Sequence, residues 1–348
     1  MQQRSRVTGR IAFGGGRTAA LALGLALSVG IALLAEVLAR SLPLIGAPIL
    51  AIAIGVVIAN LAGRFEISRR LRIHEVSGQG LRAGIVLLGL TLNLHDVLYT
   101  GASSLALLAV TMLAGLGFAW AVGAWLGIDW RVRALIGVGT TICGASAIAA
   151  LAPVIRARGE DIGYAIAVIF LFNMLAVIIF PPIGHALGLS DTGFGMWAGT
   201  AVNDTSAVVA AGFAYSHAAG AFATIVKLTR TTLIIPITLA FGLLMPWLAP
   251  DPGEREVGLG SRLLGSIPWF IGLFVVASLL NTLGLVGHAG QVQALARFVL
   301  VVALAAVGLQ GNWRAFAGAG ARPLLLGLGT WAAVAITSLA IQALTGAI

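Results

Sequence analysis

The chain has almost no lysine: Lys227 is the only one in 348 residues, and every other side chain of that charge class is arginine. Charge of either sign is scarce. Asp, Glu, Lys and Arg together make 9% of the residues, against roughly 25% in ordinary soluble domains. That scarcity excludes a soluble globular surface. A single cysteine, Cys143, excludes an internal disulfide and leaves the redox compartment unread. There is no G-x-x-x-x-G-K-[ST] string to cradle a nucleotide, and no H-E-x-x-H or G-x-S-x-G string. ATP-driven work and the common hydrolase chemistries therefore have no motif to stand on. His74, His95, His185, His217 and His288 lie scattered near loops without metal-ligand spacing. The expectation is a protein that is not an enzyme and holds no cofactor and no metal.

What is present is hydrocarbon. Hydrophobic residues are 59% of the chain and mean hydropathy is +1.03. They fall into runs of roughly 18–25 residues, each long enough to cross a ~30 Å hydrocarbon core. The runs are continuously apolar, without the period-two alternation of a membrane barrel. The 46 glycines suit helices that approach closely in lipid. The fold class expected is an all-α polytopic membrane protein of about 9–11 transmembrane helices, forming one domain over 1–348.

Hydropathy places spans near 18–40, 47–62, 79–98, 104–127, 134–153, 163–187, 194–216, 221–245, 267–287, 293–311 and 323–345. The net charge of +9 sits in the gaps between them, which argues for orientation in a bilayer and against nucleic acid. The basic arm 1–17 (Arg4, Arg6, Arg10, Arg17) precedes a first span read as retained. With "GRFEISRRLRIHE", "DWRVR", "PDPGEREVGLGSR" and "GNWRAFAGAGARP", it falls on one side, as the positive-inside rule requires. The expected N-terminus is cytoplasmic, in a multi-pass protein of the bacterial inner membrane. "IRARGEDIG" (155–163) breaks the pattern. If 134–153 crosses, Arg156 and Arg158 land outside. Either that segment re-enters, with a matching hairpin at 194–216, or the loop is an exception.

A repeat runs at an offset of sixty. "GTTICGASAIAA" (139–150) and "GTAVNDTSAVVA" (199–210) agree at five of twelve positions. Each interrupts an apolar run with a small or polar centre, "CGAS" or "NDTS". Such centres are poor helix interior and good helix start: Gly144 loosens the backbone, while Ser146, Asp204, Thr205 and Ser206 are capping types. Two discontinuous or re-entrant helices near 134–153 and 194–216, crossing near the bilayer midplane in inverted repeats, are expected. Irregular backbone at that depth must be buried in protein or line a cavity, and paired interruptions point to a transporter's binding site. "GIVLLGLTLN" (84–93) and "LVVALAAVGLQGN" (300–312) are a second echo.

Asp204 is the one acid deep in an apolar run. Lys227 and Arg230, three apart, share a helix face. Each such charge needs a partner or a wet cavity. An Asp204–Lys227 ion pair would use one cation and leave another for a bound anion. Lysine can lose a proton when buried, which makes it a candidate coupling group; arginine stays charged and offers a fork to an oxyanion. The candidate substrate-binding set is Thr141, Cys143, Gly144, Ser146, Asn203, Asp204, Thr205, Ser206 and Arg230, with Asp204 and Lys227 as coupling or ion-pair residues. Arg82 and Arg297 are expected to snorkel. Asn93, Asn173 and Asn281 should bond between helices, and "PP" at 181–182 should end or kink a span.

On "GVGTTICGASAIAALAPVIRARGEDIGYAIAVIFLFNMLA", "FGMWAGTAVNDTSAVVAAG" and "ATIVKLTR", the chain resembles the YeiH-type bacterial inner-membrane family over roughly 20–345. Members of that family are labelled sulfate exporters. Where they read "HDTAQVV" this chain reads "NDTSAVV", so Asn203 stands at the histidine position and Ala207 at the glutamine. The resemblance implies kinship with the bile acid/sodium symporter superfamily, with inverted repeats and two crossing discontinuous helices. The function expected is a secondary transporter that exports a small anion, sulfate or an organosulfonate, driven by an ion gradient or the membrane potential. Alternatives are an anion channel and a sodium-coupled organic-anion symporter. Implied partners are the lipid bilayer, the small anionic substrate, a coupling ion (proton or sodium) and further copies in a homo-oligomer.

Overall fold

The computed structural model describes residues 17–41, 46–61, 70–248, 269–311 and 320–346. Most of the basic N-terminal arm, and most of the three longer basic gaps, lie outside the described residues. Every described element is a helix. In chain order these are α1 (Arg17–Ser41), α2 (Gly46–Leu61), α3 (Ile73–Gly89), α4 (Leu94–Trp125), α5 (Trp130–Thr141), α6 (Ala145–Leu151) and α7 (Gly159–Ala186). They continue as α8 (Asp191–Ala201), α9 (Thr205–Tyr215), α10 (His217–Thr232), α11 (Ile234–Leu248), α12 (Trp269–Thr282), α13 (Ala289–Gly308) and α14 (Ala321–Thr345).

Six stretches among the described residues are long and apolar enough to cross a membrane: α1, α4, α7, α10 with α11, most of α13, and α14. The fold is therefore the polytopic all-helical membrane protein expected. Local boundaries follow capping. The expected span 79–98 stops at Gly89 because Asn93 caps α4, its side chain accepting from the His95 N–H at 2.8 Å. Between α10 and α11 the helix breaks at Leu233, where Pro236 offers no N–H to the Thr232 carbonyl. Pro181 and Pro182 lie inside α7, close to its end.

The two segments near 134–153 and 194–216 are hairpins, not crossings. At the mouth of the first, Arg131 at the start of α5 donates through Nε to the Ile155 carbonyl at 3.2 Å. Further in, a Cβ on Gly139 would lie 3.0 Å from the Ile148 side chain. The arms α5 and α6 therefore run side by side. In the second hairpin, Phe194 near the start of α8 stacks on Tyr215 at the end of α9, with ring centroids 3.9 Å apart. Ser216 donates to the Asp191 carboxylate at 2.6 Å. Gly195 and Gly212, one on each arm, both face α10, where a Cβ would come within 3.0 Å of the Ala219 carbonyl or 2.7 Å of the Gly220 Cα. Glycine is required there because the arms press on α10 backbone.

The hairpins enter from opposite ends of α7. The mouth of the first closes at Ile155, just before α7 begins, and that of the second opens at Leu189, just after it ends. Their tips meet at its middle: Ile169 packs against Gly144, and Asn173 bonds the second tip. The offset-sixty repeat is exact in the helix ends. First arms stop at Thr141 and Ala201, and second arms start at Ala145 and Thr205.

The remaining helices form the frame. α3 and α13 lie antiparallel, Gly80 against Ala303 and Gly84 against Leu300. They end alike, at Gly89 and Gly308, which gives the second sequence echo an inverted structural form. α2 crosses α13 where Gly55 and Gly308 let the backbones touch.

Candidate functional site

An α-helix that stops leaves its last carbonyls unpaired and a partial negative charge at that end. Both hairpins end their first arms this way, deep inside the protein. α10 brings Lys227 and Arg230 beneath them. Lys227, fully buried, donates to the Ile142 carbonyl at 2.6 Å, to Val202 at 3.1 Å, and to the Asn203 carbonyl. Arg230, 2% exposed, donates to the Thr140 carbonyl at 2.6 Å, to Val202 at 3.2 Å and to Gly199 at 3.4 Å, and its Nε bonds the Thr141 carbonyl. Each cation thus holds both tips at once.

This arrangement corrects two expectations. Asp204 and Lys227 form no ion pair among the described residues, because the three ammonium protons go to carbonyls. Arg230 is not an open anion clamp, because its fork is directed at backbone. Asp204 instead caps α9, its carboxylate accepting the Ser206 N–H at 3.0 Å and the Ser206 hydroxyl. A carboxylate at a helix N-terminus is favoured by the dipole.

The tips meet at Gly144 and Asp204. Gly144 has φ +67°, and a Cβ there would stand 3.4 Å from Asp204 Cβ. Glycine is needed for the left-handed backbone and for the approach. Asn173 fixes the second tip, its Oδ1 accepting from the N–H of Asn203 at 3.1 Å and of Asp204 at 2.9 Å. It bonds between elements, as does Asn281 to the Leu92 carbonyl at 3.2 Å.

Among the other candidates, Thr141 turns its hydroxyl back to the Gly137 carbonyl at 2.8 Å. Cys143 is buried in the apolar cluster around the first hairpin. Ser146 stands exposed one residue into α6, Thr205 is half-buried and Ser206 is buried. Asn203 is buried. The six carbonyls that receive the cations carry no side-chain signature, so residue types could not reveal them. The clue available was the Lys227/Arg230 spacing beside two helix stops.

A family model described as Conserved hypothetical protein 698 matches residues 23–327. The chain belongs to that family. Its relatives include a UPF0324 membrane protein of Streptococcus pyogenes serotype M6, 42% identical over 328 residues, covering 92% of this chain and 96% of the relative. One from Streptococcus mutans serotype c is 39% identical over 332 residues, covering 93% and 97%. One from Clostridium tetani is 37% identical over 313 residues, covering 87% and 90%. No solved structure matches. The names of these family members say membrane protein, in agreement with the helices described above.

Proposed function

We propose that the chain is a secondary transporter of a small anion, with its site at the meeting of the two hairpin tips. The observation that carries this reading is the tip-to-tip contact of Gly144 with Asp204, over two buried cations, halfway along α7. Broken helices facing each other at mid-membrane are how transporters expose backbone groups to a substrate. The charge balance favours an anion. Lys227 and Arg230 bring two full positive charges, opposed by Asp204 and by two helix ends worth about half a negative charge each. The second arms begin at the same place and tip the balance positive. With their own donors committed to carbonyls, the cations act through their field, while direct contacts fall to Asn203, Thr205 and Ser146.

Sulfate or an organosulfonate is the substrate class that the YeiH-type resemblance brings, with export as the direction. Lacking a nucleotide motif, the protein would draw on a proton or sodium gradient or on the membrane potential. With both hairpins re-entrant, "IRARGEDIG" returns to the side of "DWRVR", and all arginine-rich gaps share one face. An N-terminus in the cytoplasm and a multi-pass protein of the bacterial inner membrane are the reading that this charge pattern supports. Reconstituted protein tests the class: labelled-anion flux should saturate and be stimulated by the same anion on the opposite side. Unsaturating, ohmic anion current would replace the transporter with a channel.

A further inference from the structure

Three of the buried polar side-chain atoms that lack a hydrogen-bond partner among the described residues lie on the hairpin tips. They are Thr140 Oγ1 and both Asn203 Oδ1 and Asn203 Nδ2. Asn203 is 1% exposed. The nearest polar groups along the chain are committed: its N–H to Asn173, its carbonyl to Lys227, and the neighbouring Asp204 carboxylate to Ser206. Thr200, which matches Thr140 at offset sixty, has its hydroxyl 2.6 Å from that of Ser338. A native interior seldom leaves a carboxamide with neither bond made. Exchanging its oxygen and nitrogen changes nothing, since one donor side and one acceptor side stay open in either assignment.

We infer that the Asn203 carboxamide reads the substrate, and that this substrate is a small oxyanion which also carries a proton donor. The inference rests on the anion-transport reading and narrows it. The amide NH2 calls for an acceptor, which any oxyanion supplies. The amide oxygen calls for a donor, which sulfate does not have. Sulfate in this place would set oxygen against oxygen, with the Asp204 carboxylate on the next residue adding to the repulsion. A ligand that keeps an O–H satisfies both sides. That hydroxyl can sit on the oxyanion itself, as in hydrogen phosphate, or on an adjoining carbon, as in a hydroxyalkanesulfonate. The amide is sealed in this structure, so the ligand reaches it only when the tips part.

Matched pairs test this on the purified full-length protein by calorimetry or thermal shift: hydrogen phosphate against sulfate, and 2-hydroxyethanesulfonate against propanesulfonate. The donor-bearing member of at least one pair should bind about ten-fold tighter or more, since a site built for a hydroxyl rejects the analogue without it. Which pair responds identifies where the hydroxyl sits. Asn203→Leu removes both unmet groups with little change of shape, so the variant should fold and lose the preference to within about two-fold. Equal binding within both wild-type pairs overturns this inference alone. So does an Asn203→Leu protein of higher Tm with unchanged ranking, which would assign the amide to a buried water. Silence toward all four anions removes the anion reading and this inference with it. The wild-type ranking stands as a test even if the variant fails to fold.

Discussion

Lys227 and Arg230 hold six carbonyls between them from two separate hairpins. Removing either leaves buried acceptors unpaired, and each such acceptor costs about 1–3 kcal/mol. Lys227→Ala should therefore lower stability by several kcal/mol, seen as a large fall in Tm or loss of monodisperse protein in detergent. Asp204→Ala should not rescue it, because the two side chains are not paired; recovery in the double variant would restore the ion pair that the geometry denies. Arg230→Lys should also fail. A lysine has three donors on one nitrogen, whereas the guanidinium reaches Thr140 and Val202 from separate nitrogens. A normal melting curve for Arg230→Lys would show that the fork geometry is dispensable.

At the scale of elements, the hairpins make predictions that crossing helices would not. In a Cys143→Ala background, a cysteine at Arg156 should be labelled from the same side of the membrane as one at Arg131. A cysteine at Ser216 should be labelled from the opposite side. Labelling of Arg156 and Arg131 positions from different sides would turn the first hairpin back into a span. The arms also depend on close contact with α10. A Cβ on Gly199 would lie 2.7 Å from the Val226 side chain and 3.0 Å from the Ala223 carbonyl. Gly199→Val should destabilise by about 1–3 kcal/mol through overpacking, and Gly188→Ala, where nothing lies within 4 Å, gives a control in which only the left-handed backbone is strained. Comparable Tm values for the two variants would argue against tight packing on α10.

For the whole molecule, the described helices outside the two hairpins form nine stretches: α1, α2, α3, α4, α7, α10 with α11, α12, α13 and α14. If each of the nine crosses once, the ends of the chain lie on opposite faces, and that can be tested. Reporter fusions active only in the cytoplasm should work at the N-terminus and fail at the C-terminus. Activity at both ends would remove one crossing or add one. The sequence determined much of this by itself. Membrane embedding followed from composition, because so few charges cannot clothe a soluble surface. The two interruptions and their offset followed from small and polar residues where a helix interior wants leucine. Even the tension at "IRARGEDIG" was legible, since arginine placement reports the side of the membrane.

Tertiary structure alone decided whether those interruptions cross or turn back. An arm of α-helix has the same periodicity in either case; contacts across each hairpin, such as Arg131 with Ile155 and Phe194 with Tyr215, distinguish them. It also decided what the buried cations do. Charge counting in the sequence recognises Asp204 as the obvious partner, because a side-chain carboxylate has a letter of its own. Backbone carbonyls at a helix end belong to every residue type, so their claim on Lys227 and Arg230 appears only when two distant hairpins are folded onto one helix.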